Sequence, residues 1–165
     1  MIKTFRNVFT NEEQDEIWKY LRSDKWAFGQ TSNQNSQKKF WIMNLSDVEY
    51  FTDYLFKKVE DITESKFILE RVYANGQTYG LDGEFHVDSN LPNAYTFLYY
   101  PHIIWKKEWG GNLIIVDGNE EKFFYPNPNT AVFFPGTKLH RGMGPNRSFY
   151  DLRMSIAFKL VQQGG

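Results

Sequence analysis

The stretch Ala131-Val132-Phe133-Phe134-Pro135-Gly136-Thr137-Lys138-Leu139-His140 decides how the chain is read. A short apolar run is stopped by Pro-Gly, because proline has no N–H to give a sheet ladder and the pair favours a tight turn. One strand therefore ends near Phe134, and His140 begins a return strand. The same punctuation by Gly, Pro and Asn recurs on both sides of this unit. It predicts strands over 67–74, 83–87, 95–100, 112–116, 122–125, 130–134 and 152–160. Short strands at such spacing predict an antiparallel double-stranded β-helix, or jelly roll, which closes much of its own edge.

Upstream of residue 66 the pattern is different. Thr10 with Glu13, and Ser46 with Glu49, have the spacing of capping boxes and open two predicted helices. Ile17, Trp18 and Leu21 follow the first; Val48, Phe51, Leu55, Val59 and Ile62 form an apolar stripe behind the second. Between them, 26–30 and 40–43 read as short strands joined by 31–37, a polar run predicted to be a mobile hairpin loop. The expectation is a β-dominated α+β fold in a single domain over 1–165. Residues 1–65 give helical support and a strand hairpin, and 66–161 form the jelly-roll core. No internal repeat, low-complexity tract or linker divides the chain.

Composition narrows the function. At 165 residues, 41% hydrophobic and 24% charged, the chain can bury one ordinary core, and 18% aromatic content suits a pleated surface. With 19 basic and 20 acidic residues it has no bulk field to gather polyanions, so nucleic-acid binding by charge alone is disfavoured. The absence of cysteine removes disulfides, thiolate nucleophiles and cysteine-ligated metal sites. No run approaches the ~20 apolar residues that cross a bilayer, and the first residues lack a signal-peptide pattern, so no membrane association and a cytoplasmic location are expected.

Three histidines can carry chemistry. His86 and Asp88 stand two apart, and on extended backbone residues i and i+2 project from one face. That spacing alone is a weak signal. His140, 52 positions after Asp88, starts the return strand, and a jelly roll can bring it beside them. Two imidazoles and a carboxylate suit Fe(II) with open positions for organic cosubstrate and dioxygen; zinc would accept the same donors. In 152–158, Leu152, Met154, Ile156 and Phe158 take one face, whereas Arg153, Ser155 and Ala157 take the other. A guanidinium beside two small side chains shapes a slot for an anionic small molecule; the plainer reading is an unpartnered, outward-facing arginine. His102 has no spaced partner and reads as surface or loop packing.

Taken in order, Tyr73, His86-Val87-Asp88, Leu98-Tyr99-Tyr100, Gly110-Gly111-Asn112-Leu113, Phe134-Pro135-Gly136, His140 and Arg153-Met154-Ser155-Ile156 resemble the 2-oxoglutarate and Fe(II)-dependent oxygenases, in the branch containing prolyl hydroxylases. The resemblance covers about residues 70–160. It implies that His86, Asp88 and His140 ligate Fe(II), that Arg153 pairs with the distal carboxylate of 2-oxoglutarate, and that Tyr100 and Tyr73 are similar to tyrosines lining that slot. It further implies hydroxylation of a substrate C–H bond, foremost a prolyl residue of a peptide or protein, using dioxygen and releasing succinate and carbon dioxide, with ascorbate as candidate reductant. The 31–37 loop resembles a substrate-closing hairpin. The intervals from Tyr73 to His86 and from His140 to Arg153 are each a few residues longer than in that branch, and Gly142 replaces a commoner apolar residue.

Three alternatives stand beside this reading. A related branch that repairs nucleic-acid bases carries a second arginine six positions after the first, where this chain has Lys159. A cupin-like non-oxygenase could use the same metal donors. A metal-free binding module could use the aromatic surplus, including Trp105 and Trp109.

Overall fold

Seven strands form the larger of two sheets in a computed structural model that describes residues 1–164. In chain order the elements are β1 (Lys3–Arg6), α1 (Asn11–Leu21), β2 (Ala27–Thr31), β3 (Lys39–Asn44), a π-helical turn (Tyr50–Leu55) running into α2 (Phe56–Thr63), and β4 (Phe67–Gln77). After these come β5 (Ala94–Tyr100), a 3-10 turn (Lys107–Trp109), β6 (Leu113–Asp117), β7 (Glu120–Phe124), β8 (Thr130–Pro135), β9 (His140–Gly142) and β10 (Arg153–Gln162). The large sheet has the order β1-β8-β5-β10-β4-β3-β2, the small one β7-β6-β9, and every pairing is antiparallel. This is the β-dominated jelly roll backed by two helical segments that the sequence predicts.

Period-2 alternation divides the large sheet into two unlike faces. Val72, Ala74, Phe97, Tyr99, Ala131, Phe133, Met154, Ile156 and Phe158 point to the helical side, where they meet Ile17, Phe51, Leu55 and Val59. Burying each of those large helical side chains is worth roughly 1.5–3 kcal/mol. On the opposite face, Leu98, Tyr100, Val132, Phe134 and Ala157 pack with Leu113 and Ile115 of the small sheet. Between the sheets, the polar positions of β4 and β10 are left facing a cavity.

The Thr10–Glu13 capping box is present in both directions. The Ser46–Glu49 box is not. The Ser46 hydroxyl accepts from the Val72 N–H at 3.0 Å and donates to the Val72 carbonyl at 3.1 Å, so it closes the end of the β3–β4 pairing instead of a helix. The helical turn that follows has no side-chain cap. The predicted strand over 83–87 is also absent as a strand. The Gly83 N–H reaches the Gly142 carbonyl, whereas His86 exchanges both backbone bonds with His140, so Glu84 and Phe85 together oppose Arg141 alone. That extra residue interrupts the ladder as a bulge does. The short edge strand β1, paired with β8, has no counterpart in the predicted strands.

Candidate active site

The bulge before His86 positions its ring. The freed Glu84 carbonyl lies 2.9 Å from His86 Nδ1, and the Lys138 carbonyl lies 2.8 Å from His140 Nδ1 in the same way. A carbonyl can only accept, so both Nδ1 atoms carry the proton and both Nε2 lone pairs are free. These face Asp88: His86 Nε2 is 3.4 Å from Oδ1 and His140 Nε2 is 3.4 Å from Oδ2. The three donor atoms lie within 4.8 Å of one another. The backbone of the segment is fixed by the two-bond bridge between His86 and His140 and by Asp88 N–H to the Gly136 carbonyl at 2.8 Å. The Pro-Gly turn therefore holds the carboxylate as well as starting the return strand.

Asp88 is nearly buried. Its Oδ2 accepts the Thr96 hydroxyl at 2.6 Å and the Lys159 ammonium, and both donors project from adjacent strands, β5 and β10. Burial works to raise the Asp88 carboxyl, but the Lys159 cation beside it holds the group well below the ordinary carboxylate range. The site brings a carboxylate oxygen and two imidazole Nε2 atoms to one point. This donor set fits a divalent first-row metal, with the remaining positions open.

Arg153 lies at the other end of the same cavity, six residues before Lys159 on β10 and hence about 20 Å away along the strand. It is completely buried, which excludes the outward-facing reading. Nε donates to the Gly111 carbonyl and Nη1 to Gln77 Oε1, each at 2.9 Å, while Nη2 has no partner. Burial lowers the Arg153 pKa against the opposing pull of Tyr100; a guanidinium remains charged regardless. An orphaned, buried, charged donor is costly unless a ligand satisfies it, and an incoming carboxylate is its natural complement. Gly111 explains the double glycine: it has φ +74°, and a Cβ there would come within 3.1 Å of the guanidine nitrogen.

The two tyrosines differ in placement. Tyr100 is fully buried beneath the guanidinium, 5.7 Å from ring centroid to Arg153 Cζ, with its hydroxyl unpaired; burial pushes the phenol up to about 12 although the Arg153 cation pulls it down. Tyr73 lines the cavity opposite Ala157, four residues along β4 from Gln77, which is the residue that faces Arg153. The carboxylate slot is thus built by Arg153, Gln77, Gly111 and Tyr100, with Tyr73 nearer the metal donors.

The two longer intervals form loops that pack on each other and leave the strand register intact. Gly144 N–H donates to Asp82 Oδ1 at 2.9 Å, and a Cβ at Gly144 would come within 3.1 Å of the Leu81 backbone. The Gln77 amide nitrogen donates to the carbonyls of Leu81 at 2.7 Å and Gly142 at 3.0 Å, which turns its oxygen toward Arg153.

His102 is buried, contrary to the surface alternative. Its Nε2 accepts the Met154 N–H at 2.8 Å, and its ring packs among Trp18, Trp105 and Phe149. Trp105 and Trp109 are half-buried in this cluster and serve packing. Gln77, Thr96, Asn75 and Arg71 were not singled out in sequence as site residues. The signal for the three on β4 is the alternation Arg71, Tyr73, Asn75, Gln77 on one face, polar where the other face is apolar.

The profile described as the 2OG-Fe(II) oxygenase superfamily matches residues 71–158. The chain belongs to this superfamily and is a 2-oxoglutarate-dependent dioxygenase, which sets aside the cupin-like and metal-free readings. Its fold is that of prolyl hydroxylases. A prolyl hydroxylase from Trichoplax adhaerens, solved with a hypoxia inducible factor oxygen degradation domain peptide fragment, superposes with a TM-score of 0.77 at 16% identity, covering 97% of this chain and 83% of that one. A Pseudomonas putida prolyl-4-hydroxylase gives 0.76 at 13% identity, covering 98% and 92%. The alpha ketoglutarate dependent epimerase SnoN from nogalamycin biosynthesis gives 0.73 at 11% identity, covering 97% and 76%. No curated protein matches the chain by sequence. Among the described residues no helix is long and apolar enough to cross a membrane.

Proposed function

We propose that the chain hydroxylates a C–H bond of a prolyl residue in a peptide or protein, consuming dioxygen and 2-oxoglutarate and releasing succinate and carbon dioxide. The observation that carries this reading is one cavity of about 200 Å³ with three converging metal donors and, deep in the same space, an arginine nitrogen without a partner. His86, Asp88 and His140 would hold Fe(II). Arg153, aided by Tyr100 and by the Gln77 that orients it, would take the distal carboxylate of 2-oxoglutarate. Iron and cosubstrate supply the oxidising power when bound. The chain places them, keeps Nδ1 of both histidines protonated so that Nε2 stays available, and excludes water with the apolar wall of Leu98, Leu113 and Phe134. Ascorbate as reductant belongs to the same proposal.

The prolyl assignment draws support from the fold likeness and from the hairpin beside the cavity. Gln30, Thr31, Ser32 and Phe40 of β2, β3 and their connection line the entrance, and Lys38 forms a 3.6 Å ion pair with Glu84, just before His86. We assign the 31–37 loop, between β2 and β3, as a substrate lid. Shortening this loop should reduce substrate turnover at least about tenfold while leaving Fe(II) and 2-oxoglutarate binding intact; equal loss of both would make it structural.

The assignment of the ligands is tested by adding Fe(II) and then 2-oxoglutarate without oxygen and following the visible charge-transfer band of the chelate. The wild type should develop it; His86→Ala and Arg153→Ala should not. A normal band in His86→Ala would remove that residue from the ligand set.

A further inference from the structure

Arg71 has no established duty in the site. It stands on β4 directly across from Lys159 on β10, so the two side chains leave the same face of the sheet about 5 Å apart at their bases. Both line the cavity, and both also line the small depression beside Asp88. Lys159 is spent on Asp88 and Thr96. Arg71 is exposed and, among the described residues, makes no hydrogen bond or ion pair; the adjacent Glu70 is exposed and not paired with it. Its guanidinium is nevertheless held, lying over the Tyr73 ring at 5.0 Å from the centroid. Such stacking orients the planar fork while leaving its N–H groups free to bind.

Charge makes this cation conspicuous. A divalent ion with Asp88 and a 2-oxoglutarate dianion carries one negative charge. Lys159 and Arg153 convert that to one positive charge, and Arg71 adds a second. An arginine at the mouth of a cavity already positive is a poor choice for a neutral substrate and a good one for an anion. Next along the same face of β4, between Tyr73 and Gln77, the side-chain oxygen of Asn75 is buried without a partner. It calls for an N–H donor.

From these observations we infer that Arg71 is a substrate anchor, and that the substrate carries a carboxylate, with an amide or amine N–H beside it for Asn75. This inference rests on the oxygenase reading above and narrows its substrate class. A phosphate backbone is the poorer match, because one free guanidinium on a chain of net charge −1 does not provide the several cations that such binding uses. The carboxylate can come from an acidic residue next to the reacting one in a peptide, or from a free acid.

The test uses the protein loaded with Fe(II) and 2-oxoglutarate without oxygen, its chelate band confirming an assembled site, and calorimetric titration of defined probes. Acetyl-Glu-Pro-amide and acetyl-Pro-Glu-amide represent the peptide source, and acetyl-Pro-Gly with a free carboxyl terminus, whose glycyl N–H stands beside the carboxylate, the free acid. Each is paired with its neutral Gln or amide analogue, and a short oligothymidylate represents phosphate. At least one acid should bind about tenfold or more tighter than its neutral partner, the gain expected of a charge-assisted hydrogen bond. Which acid does so identifies the source. Arg71→Gln should bring the pair to parity with the band retained, and Arg71→Lys should keep part of the preference. Equal binding of acid and neutral probes, no binding of any acid, a preference that survives Arg71→Gln, or oligothymidylate binding tighter than the acids would overturn the inference. Absence of the band in the wild type would instead overturn the oxygenase assignment of the site, and the anchor with it.

Discussion

Among single residues, His102 shows how the support of the cosubstrate slot is tied to pH. Its Nε2 accepts from the N–H of Met154, the residue after Arg153. The ring must be unprotonated at that nitrogen to do so. Burial, then the Arg153 cation, lowers its pKa from 6.5 to about 4, with Asp151 pulling weakly the other way. In the unfolded chain the residue takes a proton as pH falls through about 6.5, whereas the folded chain resists until about 4. Its contribution is therefore full above the unfolded value and is lost progressively between the two, about 3 kcal/mol in all. His102→Gln keeps an acceptor but cannot titrate. Urea unfolding at pH 7 and pH 4.5 should show the wild type losing roughly 2–3 kcal/mol more than the variant over that interval; parallel losses would mean that His102 does not govern this part of the profile.

At the level of elements, what could be read from sequence was whatever depends on local spacing. Two-residue alternation sufficed to aim His86 with Asp88, and to place Arg153 opposite the core face of its strand. Non-local pairing stayed hidden. Lys159 meets Asp88, and Arg71 faces Lys159, only because β10 lies between β4 and β5, and no local pattern states that order. The predicted strand over 83–87 failed for a related reason: its partner β9 is three residues long, and the bulge that breaks the pairing also frees the carbonyl that orients His86. Ser46 illustrates competition between two local roles. Its spacing to Glu49 matches a helix cap, yet Val72, where the β3–β4 pairing ends, supplies a donor and an acceptor at once. Ser46→Ala should accordingly cost about 1 kcal/mol, because the Val72 N–H loses its partner, whereas Glu49→Ala, exposed and outside any cap, should stay within about 0.5 kcal/mol. Equal losses in thermal or denaturant unfolding would restore the capping box.

Across the whole molecule, the site joins parts that are otherwise weakly connected. Two of the proposed ligands, His86 and Asp88, sit on a segment that belongs to neither sheet, and the third is on the shortest strand of the small sheet. The β4–β10 pairing sets Gln77 against Arg153 and the two long loops turn its amide oxygen toward the guanidinium, so the cosubstrate end is assembled from chain segments far apart in sequence. Until an ion is bound, the region around His86 is held by few backbone bonds, which is the condition for local opening at low cost in free energy. A ligand that binds only the folded form stabilises it by RT ln(1 + [L]/Kd), about 2.7 kcal/mol at a hundredfold excess over Kd. For a chain of this length that corresponds to a rise in Tm of roughly 5–10 °C. Redox-inert Mn(II), added without cosubstrate, should produce this rise in the wild type and in Arg153→Ala, which lies outside the donor set, but not in His140→Ala. Hydrogen exchange should slow at 84–89 and 138–142 on binding, while the helical layer changes little. A shift of equal size in His140→Ala would show that Mn(II) binds elsewhere on the molecule.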